Sequence, residues 1–137
     1  MRITRTADYG VRVMTRLATA PLGTRMTVAT LAHESQSTVA FTGKILQRLV
    51  GARLVVSHRG FEGGFELARS ADQISLLDIV QALDGKLCLN ECMPDGAGCE
   101  RASTCAAQAV WLRAQEALAE VLGSQSLERL AAGQQIG

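Results

Sequence analysis

Three features of the sequence predict a mainly α-helical chain with a small two-stranded β wing. Two short segments with helical apolar spacing, each opened by a hydroxyl residue, are joined by a turn of about three residues. Two runs of strand-forming residues, 54–58 and 65–68, flank a glycine-rich turn. All four cysteines then fall in one loop ahead of a long apolar stripe. Together these outline a winged helix-turn-helix domain over residues 1–85, a cysteine loop over 86–105, a long helix over 104–125 and a flexible tail over 126–137.

The first helix is expected to start near Thr4 or Thr6, with Ala7, Val11, Met14, Leu17 and Ala18 on one buried face. Asp8 falls in its first turn, where a carboxylate interacts well with the helix dipole. Arg5, Arg12 and Arg16 lie on or near the opposite side, open to solvent or to phosphates.

Thr27 can cap a short helix running to about Glu34, with Val28, Leu31 and Ala32 inward. A second cap at Ser37 opens a helix whose Val39, Ile45, Leu46 and Leu49 can face the core. Thr38, Ala40, Thr42, Lys44, Gln47 and Arg48 are then left at or near the surface. That pair of helices has the geometry in which the second lies in a DNA major groove, and small or hydroxyl side chains at its start suit close approach to base edges. The turn that follows, Arg-Gly-Phe-Glu-Gly-Gly at 59–64, needs the conformational freedom of glycine and presents Arg59 at the tip of a stiff hairpin, within reach of a minor groove, with His58 near phosphate. The residues expected to meet double-stranded DNA are therefore Arg2, Ser37, Thr38, Ala40, Thr42, Lys44, Arg48, His58 and Arg59.

Ser75 and Asp78 resemble a capping box opening a helix through Ile79, Val80 and Leu83, which Gly85 stops. After the loop, Ala107, Trp111, Ala114, Leu118 and Val121 form one stripe. So long an apolar stripe needs a partner, and the same helix of a second copy suits a palindromic operator.

Charge supports this division. The 137 residues carry a formal net charge of only +1. Residues 1–70, however, hold ten Lys and Arg against four carboxylates, and the remainder four against nine. A basic front half points to a polyanion. No apolar run approaches the ~18 residues of a membrane span. No secretory leader opens the chain, so a cytoplasmic location without structural disulfides is expected. No phosphate loop, dinucleotide fingerprint or nucleophile elbow is present, and His33 and His58 lack catalytic companions, so an enzyme is not expected.

The loop from Cys88 through Cys92 and Cys99 to Cys105 reads as a metal-site loop. Thiolates suit zinc or iron-sulfur clusters, and Pro94, Gly96 and Gly98 let the backbone wrap a compact centre. No Cys-x-x-Cys pair occurs, which argues against a zinc ribbon or a thioredoxin-like motif. Two other readings stand beside this one: a structural zinc site in a DNA-binding or scaffold protein, and a metal-free thiol switch.

The start Met-Arg-Ile-Thr-Arg-Thr-Ala-Asp-Tyr, the segment Lys-Ile-Leu-Gln-Arg-Leu at 44–49, the wing turn at 59–64 and the cysteine loop ahead of a long helix resemble the bacterial iron-sulfur winged-helix regulators that include IscR, NsrR and RirA. The likeness covers nearly the whole chain. It implies a dimeric repressor of palindromic promoter DNA that senses nitric oxide, iron or redox state through a cluster, 4Fe-4S rather than 2Fe-2S. The ligands it implies are Cys92, Cys99 and Cys105. For the fourth, IscR-like members use a histidine three residues after the last cysteine, where this chain has Gln108. NsrR-like members use an aspartate near the start of helix 1 of the other subunit, the position of Asp8. Cys88 and His33 are the further candidates, and Asp8 sets the expected likeness nearest to NsrR and RirA.

Overall fold

Hydroxyl side chains open five of the six α-helices in the computed structural model, which describes residues 2–133. Thr4, Thr27, Thr38, Ser75 and Ser126 accept the backbone N–H of Ala7, Thr30, Phe41, Asp78 and Arg129, satisfying donors that a helix start leaves free. They begin α1 (Arg5–Thr19), α2 (Val28–Glu34), α3 (Val39–Gly51), α4 (Leu76–Asp84) and α6 (Leu127–Ala131). The box at Ser75 and Asp78 is formed in both directions. The exception is α5 (Ala106–Gly123), whose cap, Cys105, makes no side-chain bond. The cap of α3 is Thr38 rather than the expected Ser37, so the helix starts one residue later.

Antiparallel strands β1 (Val55–His58) and β2 (Gly64–Leu67) form the wing, in the register Val55 with Leu67 and His58 with Gly64. The residue before the α2 cap joins them: Met26 and Phe65 exchange N–H···O bonds of 2.9 and 2.8 Å. The mainly α-helical winged helix-turn-helix with its two-stranded wing is thus the fold adopted.

The core gathers Ala7, Val13, Met14 and Leu17 of α1, Leu31 of α2, Ile45, Leu46 and Leu49 of α3, and Ile79 and Leu83 of α4. Apart from Ala7, each of these side chains contributes ~1.5–3 kcal/mol on burial. α1 is the central helix, packed on α3, α4 and α6. Gly10 makes its approach to α4 possible: a Cβ there would lie 2.0 Å from Leu83 Cδ1.

Three expectations need correction. Val39 is 53% exposed, because it is the first residue of α3 and lies before the inward row Thr42, Ile45, Leu46 and Leu49. Thr42, expected at the DNA surface, is fully buried, since it falls on that same row. The segment after 126 is not a frayed tail: Leu127 is fully buried, and its N–H donates to Ile74 O at 2.7 Å, while Leu76 N–H donates to Gln125 O at 2.8 Å. Residues 134–137 of that expected tail lie outside the described residues.

Candidate nucleic-acid interface and cysteine loop

Because the row from Thr42 to Leu49 turns into the core, α3 turns the opposite row outward. Thr38, Ala40, Lys44, Gln47 and Arg48 are all exposed, and Ala40, Gly43, Lys44, Gln47 and Arg48 line a shallow depression along the helix. Ser37 is half-buried and lines a second depression with Arg5, Gln36, Thr38 and Phe41. This face offers two cations, an amide and small side chains, the set that reads a major groove and its phosphates.

The start of α1 adds to this surface. Tyr9 packs edge-on against Phe41, with centroids 5.6 Å apart. The guanidinium groups of Arg5 and Arg12 stand 5.3 and 4.7 Å from the centre of the Tyr9 ring, a cation–π arrangement that orders both near the start of α3. Tyr9 enters the sequence reading only as the end of the start motif; an aromatic one helical turn from arginines on both sides is the signal for this contact. Arg16 has a different role. It pairs with Glu34 and donates to Thr19 Oγ1 at 2.8 Å, tying α1 to α2.

On the wing, Arg59 is exposed as expected. His58 is not free beside phosphate: its Nε2 lies 2.5 Å from Glu66 Oε1 on the partner strand. Arg25, from the loop before α2, donates to Glu62 O at 3.2 Å and braces the turn, a contact no local pattern announces. Arg2 lies away from α3, lining a depression with Thr4, Asp84, Gly85, Lys86 and Cys88 beside the start of the cysteine loop.

The loop is built of turns anchored by two buried side chains, Leu87 and Met93. Met93 N–H donates to Asn90 O at 3.1 Å and Gly98 N–H to Glu91 O at 2.8 Å. Two glutamines of α5 hold its backbone: Gln115 Oε1 accepts from Leu89 N–H at 2.9 Å, and Gln108 Nε2 donates to Cys92 O at 3.3 Å. The residue that occupies the IscR-type histidine position is therefore a backbone clamp.

All four cysteines are free thiols, with Cys88 and Cys92 half-buried and Cys99 and Cys105 exposed. Cys88 Sγ donates to Asn90 O at 3.2 Å. Asp8 pairs with Arg12 at 3.3 Å on the same helix, and His33 is exposed on the last turn of α2. The donor set has the right chemistry for a thiolate-held centre. Its placement does not fit one: among the described residues no three His, Cys, Asp or Glu side chains come together to hold a metal ion. The expected cluster loop is thus present as sequence and backbone without assembling into a cluster site.

The α5 stripe is open. Trp111 and Val121 are 42% and 50% exposed, Ala114 is exposed, and only Ala107 and Leu118 are half-buried. Among the described residues no helix is long and apolar enough to cross a membrane.

Comparison with known proteins agrees with this architecture. The profile of the Rrf2 family, described as iron-dependent transcriptional regulator, matches residues 3–133. Rv1287, a helix-turn-helix protein of Mycobacterium tuberculosis, is 37% identical over 133 residues, covering 97% of this chain and 83% of that protein. The regulator IscR of Xenorhabdus nematophila is 28% identical over 136 residues, covering 99% and 82%. The structure of CymR, the global cysteine regulator of Bacillus subtilis, superposes with a TM-score of 0.79 at 28% identity, covering 98% of this chain and 99% of that one. These relatives are of the IscR and CymR types, so the likeness does not single out NsrR and RirA. Members of the family regulate transcription without catalysis, and the chain is not an enzyme. A match over nearly the whole length, on the same fold, means that the chain belongs to the Rrf2 family of winged-helix transcriptional regulators.

Proposed function

We propose that this regulator acts in the cytoplasm as a homodimeric repressor on palindromic promoter DNA and takes its signal at the cysteine loop. The observation that carries the DNA role is the outward row of α3, a rigid helix face with Lys44 and Arg48 exposed on it and its back locked in the core. Ser37, Thr38 and Ala40 would approach base edges, and Arg59 would reach the minor groove. The open Trp111 and Val121 on α5 supply an apolar face for a second copy, which would set two recognition helices ~34 Å apart, one turn of DNA.

The test is selection of a random duplex pool by the full chain, followed by titration of the enriched sequence at several salt concentrations. Lys44→Ala and Arg48→Ala should each weaken binding and, by removing one phosphate contact per subunit, lower the slope of log K against log salt by ~1.8 for the dimer. A pool that yields no palindrome would refute the reading.

For the signal, thiol chemistry is the reading best supported by the placement of the cysteines. Four free thiols on a turn-built loop, two of them exposed, are open to reversible oxidation, in which two thiols give two electrons and two protons to an oxidant such as a peroxide and join as a disulfide. Loop movement would pass through Gln108 and Gln115 to α5 and so to the spacing of the dimer.

A second reading, favoured by the family's description as iron-dependent, has Cys92, Cys99 and Cys105 hold a 4Fe-4S cluster with Asp8 of the partner subunit, and Cys88 or His33 as alternatives to it. It would add nitric oxide and iron shortage to the signals. The carboxylate would have to leave Arg12 for this role.

Anaerobic purification with iron, sulfide and zinc analysis separates these readings. Metal-free protein whose operator affinity changes on oxidation, and no longer does so after Cys→Ser substitution, supports the switch. Iron and sulfide in equal amounts with visible absorbance establish the cluster instead, and one zinc per chain establishes a structural site.

A further inference from the structure

The outermost point of the wing is an uncovered aromatic ring. Phe61 is fully exposed, whereas Phe41 and Phe65 are half-buried and join the core. Its mount is stiff. Gly63 N–H donates to Gly60 O at 3.0 Å, and Arg25 clamps the carbonyl of Glu62 at 3.2 Å. Gly63 admits no side chain, since a Cβ there would meet His58 O at 2.6 Å. Below the turn, His58 and Glu66 join the two strands. With the backbone beneath it fixed, docking costs this segment chiefly the side-chain rotations of the ring. The formal charges at the turn, Arg59 and Arg25 against Glu62, leave a small positive excess, so phosphate attraction can help seat this tip while leaving the ring's own contact unaccounted for.

We propose that Phe61 is an apolar wedge that enters the minor groove at the outer flank of each half-site and bends the duplex there. The inference rests on the reading of α3 and the wing as one DNA surface, since Phe61 sits on the turn of that wing. Aromatic side chains inserted at a base step partly unstack it and kink the duplex by ~20–90°. Pyrimidine–purine steps yield most easily, so Phe61 would confer a preference at flanking positions that no hydrogen bond reads.

The experiment uses the full chain and the duplex it enriches from a random pool, end-labelled so that energy transfer reports bending. Phe61→Ser, at a fully exposed position, should leave the melting temperature unchanged. It should weaken binding by about tenfold or more, since a buried ring is lost, and abolish the bend, with no change in salt slope. Phe61→Leu should keep most of both, and Arg59→Ala should lower the salt slope. A Phe61→Ser protein that binds and bends the duplex like wild type would overturn the wedge while leaving the DNA reading intact. A wild-type chain that enriches no duplex would overturn that reading and the wedge with it.

Discussion

Replacing Gly10 with alanine tests how closely α1 and α4 approach. The added Cβ would lie 2.0 Å from Leu83 Cδ1 and 3.7 Å from Ile45 Cγ2. Ordinary carbon contacts lie at ~3.5–4.0 Å, so Leu83 would have to retreat by roughly 1.5 Å. A methyl at the end of a flexible side chain could do so on a surface, but Leu83 is 2% exposed and has nowhere to go. Overpacking of this kind costs ~1–3 kcal/mol, against ~1 kcal/mol that alanine gains over glycine inside a helix. We predict that Gly10→Ala destabilises the protein by about 1 kcal/mol, a fall of roughly 3–5 °C in Tm, measured at fixed protein concentration because a dimer's Tm depends on it. In a Leu83→Ala background the clash is gone and only the helix gain remains, so the same change should stabilise by about 1 kcal/mol. Urea denaturation of the four proteins gives both numbers. Equal stabilisation in both backgrounds would refute the close approach. The contact has functional weight because α4 leads straight into the cysteine loop, and at the same junction Thr4 N–H donates to Asp84 Oδ2 at 3.1 Å. A shift of α4 here would move the loop relative to the helices that carry the DNA surface.

Other substitutions test the remaining assignments. Thr42 Oγ1 is buried with no hydrogen-bond partner among the described residues, so Thr42→Val should raise stability by about 1 kcal/mol and leave operator affinity unchanged; weaker DNA binding would show that the hydroxyl reaches a base. Leu127→Ala should cost ~2–5 kcal/mol in denaturant, whereas a loss of under ~0.5 kcal/mol would return the segment to a frayed tail. Gln108→Ala removes the clamp on the Cys92 carbonyl, worth ~1 kcal/mol, and should speed alkylation of Cys92 by about fivefold while Cys99 is unaffected; an unchanged rate would show that the clamp does not restrain the loop.

What could be read directly from the sequence was local. Thr4, Thr27 and the Ser75–Asp78 box mark helix starts because a cap bonds an N–H only a few residues along. The glycines at 60, 63 and 64 mark the wing for a similar reason: the turn's geometry is a property of its own backbone. Crowding four cysteines into one loop singled out the segment proposed to take the signal without any contact being known. Decisions that depended on distant partners were out of reach. Thr42 and Val39 exchanged their expected places because burial on α3 is set by which row meets α1 and α4, and a residue's type does not reveal it. His58 was taken by Glu66 across the strand pair and Arg16 by Glu34 from another helix, so two side chains read as open to phosphate were already paired. Leu127 looked like part of a polar tail until Ile74 supplied its hydrogen-bond partner. The sequence by itself determined the first five helices, the wing, their order and the thiols gathered in one loop. Only the tertiary structure decided which side chains were left over for DNA, because each long-range contact uses up a group that a local reading counts as free.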